Sequence, residues 1–401
     1  AVTVSAGGAG AASVNVTVSV TYAENTMSGS LLATIDDSTV TSTSGSVTVD
    51  AFADNLIEAD GVAVGVSVGG AGGVSINVAA SAVLATAVLT NVVEASIIDG
   101  SNVAANSVSA TATDESTVDA TLVAASVSIG GAGAVSVNAS IAVSVAQVDF
   151  GTNTRALISG SKVLARTGDV SLTALSTGSV DVDAVAVGVS FGASGGVSGS
   201  VAAAGAIAII NSTNLVSASI VADSDVDATL GSVILSATDE TLFTSDVDSV
   251  SVSGAISGGA GIALSIAYAQ SNTSIDGTVR TEINDSDVDA GTDIMLTSLA
   301  DGVIDADGVG VSVSLSAAVG FSLSGAGAGV IITNVIGQDV IAEIGDSEAA
   351  EGQGATAGND VLLSATDSIK STADASAATV SGAASFAAGA LAISAARASN
   401  S

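Results

Sequence analysis

The sequence predicts an all-β fold, a repetitive β-solenoid whose repeats of about 63 residues stack like the rungs of a parallel β-helix. Three observations lead to this prediction. A Gly-rich block recurs at a nearly constant interval, further motifs recur between the blocks in a fixed order, and apolar residues alternate with small ones along the chain. Self-similarity at a fixed period is typical of repeat architectures, in which each repeat contacts only its neighbours.

The Gly-rich blocks predict the corners of this array. They read GGAG at Gly7, Gly69, Gly130 and Gly258, GASG at Gly192, and in degenerate form SAAV at Ser316 and FAAG at Phe386. A ligand-binding loop is usually present once, and these blocks lack the Lys-Ser/Thr pair of a phosphate-binding P-loop. The recurrence therefore predicts one continuous repeat array over residues 1–401, without a separate catalytic domain, and with bends near residues 7–10, 69–72, 130–133, 192–195, 258–261, 316–319 and 386–389.

Two further motifs keep the same phase as the blocks. A segment of the form Ala-x-Ile-x-x-Ser-x-Val follows each of the first six blocks, at Ala33–Val40, Ala95–Val103, Ala156–Val163, Ala218–Val226, Thr281–Val288 and Ala342–Ala349. A strand-like segment led by Gly, Asn or Thr comes next, such as GDVSLTA from Gly168. Each repeat is therefore expected to hold about four strands, one on each side of the bend and one for each of these two motifs.

The alternation of residue size predicts strands rather than membrane helices. In GVAVGVSV, the valines Val62, Val64, Val66 and Val68 alternate with glycine, alanine and serine, which is the period of a strand. The stretch from Ala184 to Ala222 carries no charge, as a membrane helix would. However, its apolar and small residues alternate with the period of a strand, and it lacks the flanking Lys or Arg residues that orient a membrane span. Insertion into a membrane is therefore not expected.

Two arrangements of the strands around each bend fit the sequence. The parity of the apolar positions is kept across GGAG, as it would be if a hairpin placed Val68 opposite Val74 or if one strand bent at the glycines. Small residues on both faces favour close stacking of rungs. A stack of parallel rungs is therefore the prediction, and repeated antiparallel β-hairpin layers are the alternative.

The charge of the chain limits its partners and its chemistry. The net charge is −34, with six basic residues, so nucleic acid and anionic membrane surfaces should be repelled. The expected partners are the chain itself, end to end or as part of a longer chain, and divalent cations. Since Cys and His are absent, thiolate and imidazole metal sites and most nucleophilic triads are excluded. The chain is expected not to be an enzyme and to require no cofactor.

Asp-x-Asp runs are the candidate metal ligands. Residues i and i+2 of a strand face the same side, and Ca²⁺ takes six to eight oxygen ligands with irregular geometry. The same runs also fit a solvated acidic face that binds nothing, and they match neither an EF-hand nor the glycine-rich nonapeptide of calcium-binding β-rolls. The candidate Ca²⁺ ligands are Asp181, Asp183, Asp223, Asp225, Asp227, Asp285, Asp287 and Asp289, and similar pairs occur at Asp246/Asp248 and Asp305/Asp307.

The order of the motifs resembles a known class of proteins. The succession Ala-x-Ile-x-x-Ser-x-Val, Gly-Asp-Val-x-Leu-Ser-Ala, Val-Ala-Val-Gly-x-Ser-x-Gly-Gly-Ala-Gly and Thr-Asn-Val is similar to the repeats of giant bacterial exoproteins and leukotoxin-type filamentous adhesins. The resemblance covers essentially the whole chain and rests on the order of the motifs. It implies an exported β-solenoid at the bacterial cell surface or outside the cell, used for attachment, biofilm or filament formation, and it implies no catalytic residues.

The functional expectation is a structural component of an extracellular bacterial filament or cell-surface stalk. One alternative is an adhesin that binds a host or polysaccharide surface, which an exposed aromatic patch would favour. The other is a secreted β-helix enzyme that acts on polysaccharides. Such an enzyme needs a local break in the repeat pattern, and the basic residues Arg155, Lys162 and Arg166 form the nearest one.

Overall fold

The computed structural model describes residues 1–345 and 354–401, and all regular secondary structure in these ranges is β-strand. Every ladder in them is parallel and joins one repeat to the next, so that Val64 pairs with Val2 on one side and with Ala125 on the other. The predicted parallel β-solenoid is confirmed. The alternative of antiparallel hairpin layers is wrong, because the strands on the two sides of a Gly-rich block belong to different sheets.

Each turn of the solenoid, here called a rung, passes in chain order through four parallel sheets, A to D. Sheet A contains β1 (Val2–Ala9), β5 (Leu56–Glu58), β6 (Gly61–Ala71), β10 (Thr117–Ala132), β14 (Ser179–Ser194), β19 (Leu242–Ser257), β23 (Val303–Ala318) and β27 (Lys370–Ala384). Sheet B contains β2 (Ala12–Asp36), β7 (Val74–Ile98), β11 (Val135–Ser159), β15 (Val197–Ser212), β16 (Leu215–Val221), β20 (Ala260–Asn284), β24 (Phe321–Gly345) and β28 (Ala387–Asn400).

The two remaining sheets are built from shorter strands. Sheet C contains β3 (Thr39–Thr41), β8 (Asn102–Ala105), β12 (Lys162–Ala165), β17 (Asp225–Ala228), β21 (Asp287–Ala290) and β25 (Gly354–Ala357). Sheet D contains β4 (Val47–Ala53), β9 (Val108–Asp114), β13 (Val170–Ser176), β18 (Val233–Asp239), β22 (Ile294–Ala300) and β26 (Val361–Asp367). The last predicted Ala-x-Ile segment runs to Ala349, and its part after residue 345 lies outside the described residues.

The Gly-rich blocks lie where sheet A gives way to sheet B, and the part of these two sheets next to the turns is called the tip. The breaks between the two sheets fall at residues 10–11, 72–73, 133–134, 195–196, 258–259, 319–320 and 385–386, each overlapping a predicted bend. The turns also stack on one another. The N–H of Gly72 donates to the carbonyl oxygen of Ala9 (3.1 Å), and that of Gly133 donates to Ala71 (3.0 Å). Hydrogen bonding between rungs therefore continues around the tip.

The Ala-x-Ile-x-x-Ser-x-Val segment forms the corner between sheets B and C, at the opposite end of the rung, which is called the base. At this corner Asp37, Asp99, Asp223 and Asp285 have positive φ values of 40°, 55°, 57° and 48°. Asp tolerates this left-handed region better than most residues because its short polar side chain bonds locally. The variable positions between the Ile and the Ser of the motif therefore supply the residues that turn the chain.

The interior changes in character from the base to the tip. At the base, sheets B, C and D enclose an apolar cluster that includes Ile97 and Val170. Further along, sheets A and B enclose a second apolar cluster, in which the rings of Phe150 and Phe243 meet edge to face at 6.3 Å. At the tip the interior is polar, and its buried side chains are largely serine and asparagine.

The tip valines point away from this interior. Val62 and Val68 are exposed, whereas Ala63 and Ser67 between them are buried. The reason is the thinness of the tip, where the two sheets approach so closely that a Cβ on Gly188 of sheet A would overlap with the carbonyl group of Ala203 of sheet B. Only small side chains fit between the sheets, so the larger alternating residues lie outside.

Candidate functional site: side-chain ladders and acidic faces

A buried asparagine ladder runs along the tip. The Nδ2 of Asn15 donates to Oδ1 of Asn77 (2.9 Å), and the Nδ2 of Asn77 donates to Oδ1 of Asn138 (3.0 Å). Each asparagine also donates to the serine two residues earlier, as Asn77 does to Ser75 (3.0 Å). Asn77 and Asn138 are fully buried. Because each amide satisfies its neighbours, the ladder couples three successive rungs without leaving these amides unpaired.

The first glycine of each Gly-rich block makes room for this ladder. A Cβ on Gly69 would overlap with the amides of Asn15 and Asn77, and one on Gly130 would overlap with those of Asn77 and Asn138. The next glycine, Gly131, has open space at that position. The constant spacing from this first glycine to the asparagine in the first three repeats is the signal in the sequence that could have predicted this contact.

Serine hydroxyls then join sheet B to sheet A across the interior of the tip. In each case the sheet B hydroxyl donates to the backbone carbonyl of a sheet A serine, and two register rows alternate from rung to rung: Ser140 to Ser126 (2.6 Å) and Ser265 to Ser251 (2.7 Å) in one row, Ser200 to Ser190 (2.8 Å) and Ser324 to Ser314 (2.6 Å) in the other. The tip is therefore held together by hydrogen bonds where the rest of the rung relies on apolar packing.

A second serine ladder explains the invariant serine of the corner motif. The hydroxyl of Ser101 donates to the carbonyl oxygen of Ile98 (2.7 Å) and accepts from the N–H of Ser38 in the preceding rung (3.2 Å). The hydroxyl of Ser224 donates in the same way to Val221 (2.7 Å). Each hydroxyl thus caps its own corner and holds the corner of the neighbouring rung. The motif in the sequence does not by itself reveal this role of the serine.

Buried aspartates close the junction between sheets D and A on alternate rungs. Asp114 and Asp239 share one register row, with Ser176 between them. Asp239 Oδ1 accepts hydrogen bonds from the N–H (3.1 Å) and the hydroxyl (2.5 Å) of Thr241. Burial raises the pKa of Asp114 and of Asp239 above the usual range, although these local hydrogen bonds partly oppose the shift. Since serine separates them, the two carboxyl groups do not lie on adjacent rungs.

Asp181 and Asp183 both point outward from β14, as expected for residues i and i+2 of a strand. Asp181 lies beside Asp119 of the preceding rung, and Asp183 lies beside Asp246 of the following one. Burial, and then the charges of Asp183 and Asp119, raise the pKa of Asp181. The two candidate ligands therefore form part of an acidic surface on sheet A.

The most regular part of this surface is the acidic row, which consists of Asp183, Asp246, Asp307 and Asp374 on four consecutive strands. Adjacent members are about 4.8 Å apart along the stack. Burial raises the pKa of Asp246, and the carboxylates of Asp248, Asp183 and Asp307 raise it further. Like charges at this spacing repel each other and oppose stacking.

A second acidic cluster lies on sheet C. Asp225 and Asp227 of β17 pair in register with Asp287 and Asp289 of β21. Lys162 of β12 forms a salt bridge with Asp225 from the other side. Burial and the charges of Asp289 and Asp225 raise the pKa of Asp287, while Lys162 opposes the shift. Four of the eight candidate ligands are therefore brought together, in contact with a cation of the chain itself.

Asp223 and Asp285 lie apart from this cluster because they are the left-handed residues of the corner. The N–H of Asp223 donates to the carbonyl oxygen of Asp285 (2.6 Å). The runs Asp223–Asp227 and Asp285–Asp289 are thus divided between a corner and a strand, and their three carboxylates do not share one strand face. Sequence spacing alone does not reveal where a strand begins.

No set of three or more acidic side chains in residues 1–345 and 354–401 is arranged to hold a metal ion. The carboxylates stand in rows on sheets, whereas Ca²⁺ needs six to eight oxygen atoms around one point. Carboxylate oxygen is nevertheless the ligand type that Ca²⁺ prefers. Binding of Ca²⁺ at the eight candidate ligands stays a prediction, and these are Asp181, Asp183, Asp223, Asp225, Asp227, Asp285, Asp287 and Asp289.

The basic residues of the predicted break in the pattern are used between rungs. Arg155 forms a salt bridge with Glu94, its register partner on β7, and Lys162 forms one with Asp225. The guanidinium of Arg166 donates to the carbonyl oxygen of Ser42 (2.8 Å). These contacts give all three side chains a structural role in the stack.

Comparison with known proteins gives no identification. No protein family, curated protein or solved structure matches the chain, and nothing in these comparisons connects it with the adhesin repeats that its motifs resemble. The described ranges also contain no helix long and apolar enough to cross a membrane.

Proposed function

We propose that the protein is a structural component of an extracellular bacterial filament or cell-surface stalk. The observation that supports this function is the stack of parallel rungs, in which sheets A and B run through seven successive rungs and sheets C and D through the first six. The asparagine ladder and the corner serine ladder repeat the rung period in their side chains. A rod with this construction resists bending and extension through its backbone ladders.

The proposal includes an exported location and self-association along the rod axis. The resemblance of the motif order to filamentous adhesin repeats supports export. The outermost strands of each sheet, such as β1 and β27, have one paired edge among the described residues, and the other edge can accept a further rung. Antibody labelling of intact and permeabilised bacteria tests the location. Labelling confined to permeabilised cells would contradict it.

Two alternatives have less support. The basic residues of the predicted enzyme site are engaged between rungs. The exposed aromatic side chains are spread over sheet A, sheet B, sheet D and a turn at the tip, namely Phe191, then Tyr22 and Phe321, then Phe52, and Phe386. Neither observation favours a polysaccharide-active enzyme or an adhesin that recognises its target through aromatic stacking.

Electron microscopy of the native material, with and without a chelator, tests the filament. The proposal predicts uniform fibres with strands perpendicular to the fibre axis and an axial spacing of about 4.8 Å. Fibres that fray in chelator would support Ca²⁺ binding by the aspartates of sheets A and C, and fibres that do not change would contradict it. Discrete short particles under both conditions would contradict the filament.

A further inference from the structure

The tip of each rung is free of charge, whereas the acidic residues lie towards the base. Within the sequence, residues 61–93, 120–148, 184–222, 249–275 and 308–338 contain no Asp, Glu, Lys or Arg. Five of the seven Gly-rich turns lie within these ranges. The solenoid is therefore amphipathic across its width, with an uncharged tip and an acidic base.

The outward surface of sheet A at the tip, called the tip face, is apolar. It consists of four register rows on consecutive strands. The members from β6, β10, β14, β19 and β23 are Val64, Ala125, Val187, Val250 and Val311 in the first row, Val66, Val127, Val189, Val252 and Val313 in the second, Val68, Ile129, Phe191, Gly254 and Leu315 in the third, and Gly70, Gly131, Ala193, Ile256 and Ala317 in the fourth.

The area of the tip face is sufficient for a stable interface. Seven strands at about 4.8 Å and four rows at about 6.6 Å give roughly 900 Å². The largest apolar patch on a typical monomer is about 300–600 Å², and a standard protein interface buries about 800 Å² on each partner. A face of this size is thus large for a surface in contact with water and matches what a dimer requires.

The relief of the tip face also fits a copy of itself. In its third row, bulky Phe191 and Leu315 alternate with Gly254 and Gly382 on successive strands. A groove of about 570 Å³ runs between them and is lined almost entirely by apolar groups. The groove leaves room at these glycines for the larger side chains of a second copy.

The distribution of charge sets the orientation of such a pair. If the strands of two facing copies ran in the same direction, the acidic row of one would face the acidic row of the other. In the opposite orientation the two acidic rows lie at opposite ends of the interface, roughly 20 Å or more apart, which exceeds the Debye length of about 8 Å. This orientation buries apolar surface without bringing the acidic rows together.

A phospholipid surface fits the tip face less well. Proteins that enter a bilayer border their apolar surface with Trp, Tyr, Lys or Arg. Here the sequence has no Trp, and the rows next to the apolar surface contain Asp248 and then Asp183 and Asp246. These carboxylates would be repelled by anionic headgroups.

From these observations we propose that the tip face of sheet A is a docking surface for a second copy of this chain, arranged with its strands in the opposite direction. The interface is lateral and lies at right angles to the axial stacking of the filament. The lateral interface depends on the fold of one chain alone. It can therefore form whether or not the chains also stack end to end.

Sedimentation of the intact chain over a range of concentrations tests this proposal. We expect a concentration-dependent dimer that is as strong or stronger when salt is raised from about 0.15 M to about 1 M, because salt screens the remaining repulsion between the acidic bases. The double variant Ile256→Asp, Leu315→Asp should raise the dissociation constant at least about tenfold, because it places charge in an apolar interface.

A matched control lies on the other sheet of the same rung. The double variant Ile262→Asp, Ile266→Asp introduces the same two charges at exposed isoleucines of sheet B and should leave the dissociation constant within about twofold. Circular dichroism verifies that both variants fold, and Ile256→Ser, Leu315→Ser replaces the charged pair if they do not. A monomer at all concentrations, or equal loss in the sheet B control, would overturn the proposal. Flotation with phosphatidylcholine vesicles in place of dimerisation would overturn it in favour of a lipid surface.

Discussion

Gly130 illustrates how a single backbone position determines the structure of the tip. Its missing side chain leaves the space that the amides of Asn77 and Asn138 occupy, whereas the neighbouring Gly131 faces open space. We therefore expect Gly130→Ala to lower the free energy of unfolding by about 2–4 kcal/mol, through overlap and the disturbance of a buried hydrogen bond. Gly131→Ala should change it by less than about 0.5 kcal/mol. Chemical denaturation measures both, and equal effects would contradict the account of the ladder.

The buried amide of Asn77 permits a second test at the residue scale. Asn77→Asp keeps the shape of the side chain but removes the donor to Asn138 and Ser75 and places a charge in the interior. It should cost about 3 kcal/mol at neutral pH and less at low pH, where the carboxyl group is neutral.

The matched control for this change is Asn77→Ser. Serine occupies the equivalent position at Ser200, one rung beyond Asn138 in the same register row, so the fold accepts it there. It should cost clearly less than Asn77→Asp in the same denaturation experiment. If the two substitutions had the same effect, the hydrogen-bonded amide would not be what stabilises this row.

The strand GVAVGVSV shows what the sequence could predict at the scale of an element and what it could not. Its alternation of Val62, Val64, Val66 and Val68 with small residues predicts a strand, and the strand is present as β6. The direction of the two faces was not predictable from the alternation. It is decided by the close approach of two sheets at the tip, which requires partners far away in the sequence to be known.

The candidate Ca²⁺ ligands also show what the sequence could and could not predict. That Asp181 and Asp183 share a face follows from the period of a strand, and the structure has them so. That Asp223 lies at a corner and Asp225 in β17 depends on where the left-handed turn occurs. When the position of a strand in the sequence is known, the residues that share one of its faces can be predicted. The contacts between side chains of neighbouring rungs can be predicted only when the register between the strands is known as well.

The acidic row leads to a prediction for a whole ladder. Asp246 lies between Asp183 and Asp307, and these like charges oppose stacking. Asp246→Asn should therefore raise the free energy of unfolding at neutral pH by about 0.2–1 kcal/mol. Asp50→Asn is the control. Asp50 is paired in register with Thr111, so this substitution removes a charge without relieving repulsion within a row of carboxylates. Equal stabilisation by both variants would show that net charge alone, not the row, is responsible.

At the scale of the whole molecule, the raised carboxyl pKa values determine how stability depends on pH. Asp114, Asp181, Asp239, Asp246, Asp248, Asp287 and Asp307 all have a pKa raised above its usual range, with burial as the largest cause. A raised pKa means that the folded state binds protons more tightly than the unfolded state. Its contribution to stability is therefore greatest below the unfolded pKa of about 4 and is lost as the pH rises through the folded pKa.

We accordingly expect the thermal midpoint of unfolding to rise as the pH is lowered from 7 to about 4. This direction is opposite to the acid denaturation of proteins whose carboxylates are stabilised by ion pairs. Circular dichroism at a series of pH values and constant ionic strength measures it. A midpoint that falls steadily over this range would contradict the assigned shifts.

The central claim is that the chain is a stack of parallel rungs in one register, and distances between spin labels test it most directly. Thr48, Ile234, Met295 and Leu362 lie in one row on the outer side of sheet D. Since the chain has no cysteine, pairs of introduced cysteines can be labelled at these positions alone. Double electron–electron resonance should give distances from Thr48 of about 14, 19 and 24 Å to Ile234, Met295 and Leu362, rising by about 4.8 Å for each rung. Distances that do not increase in equal steps along this row would contradict the parallel stack.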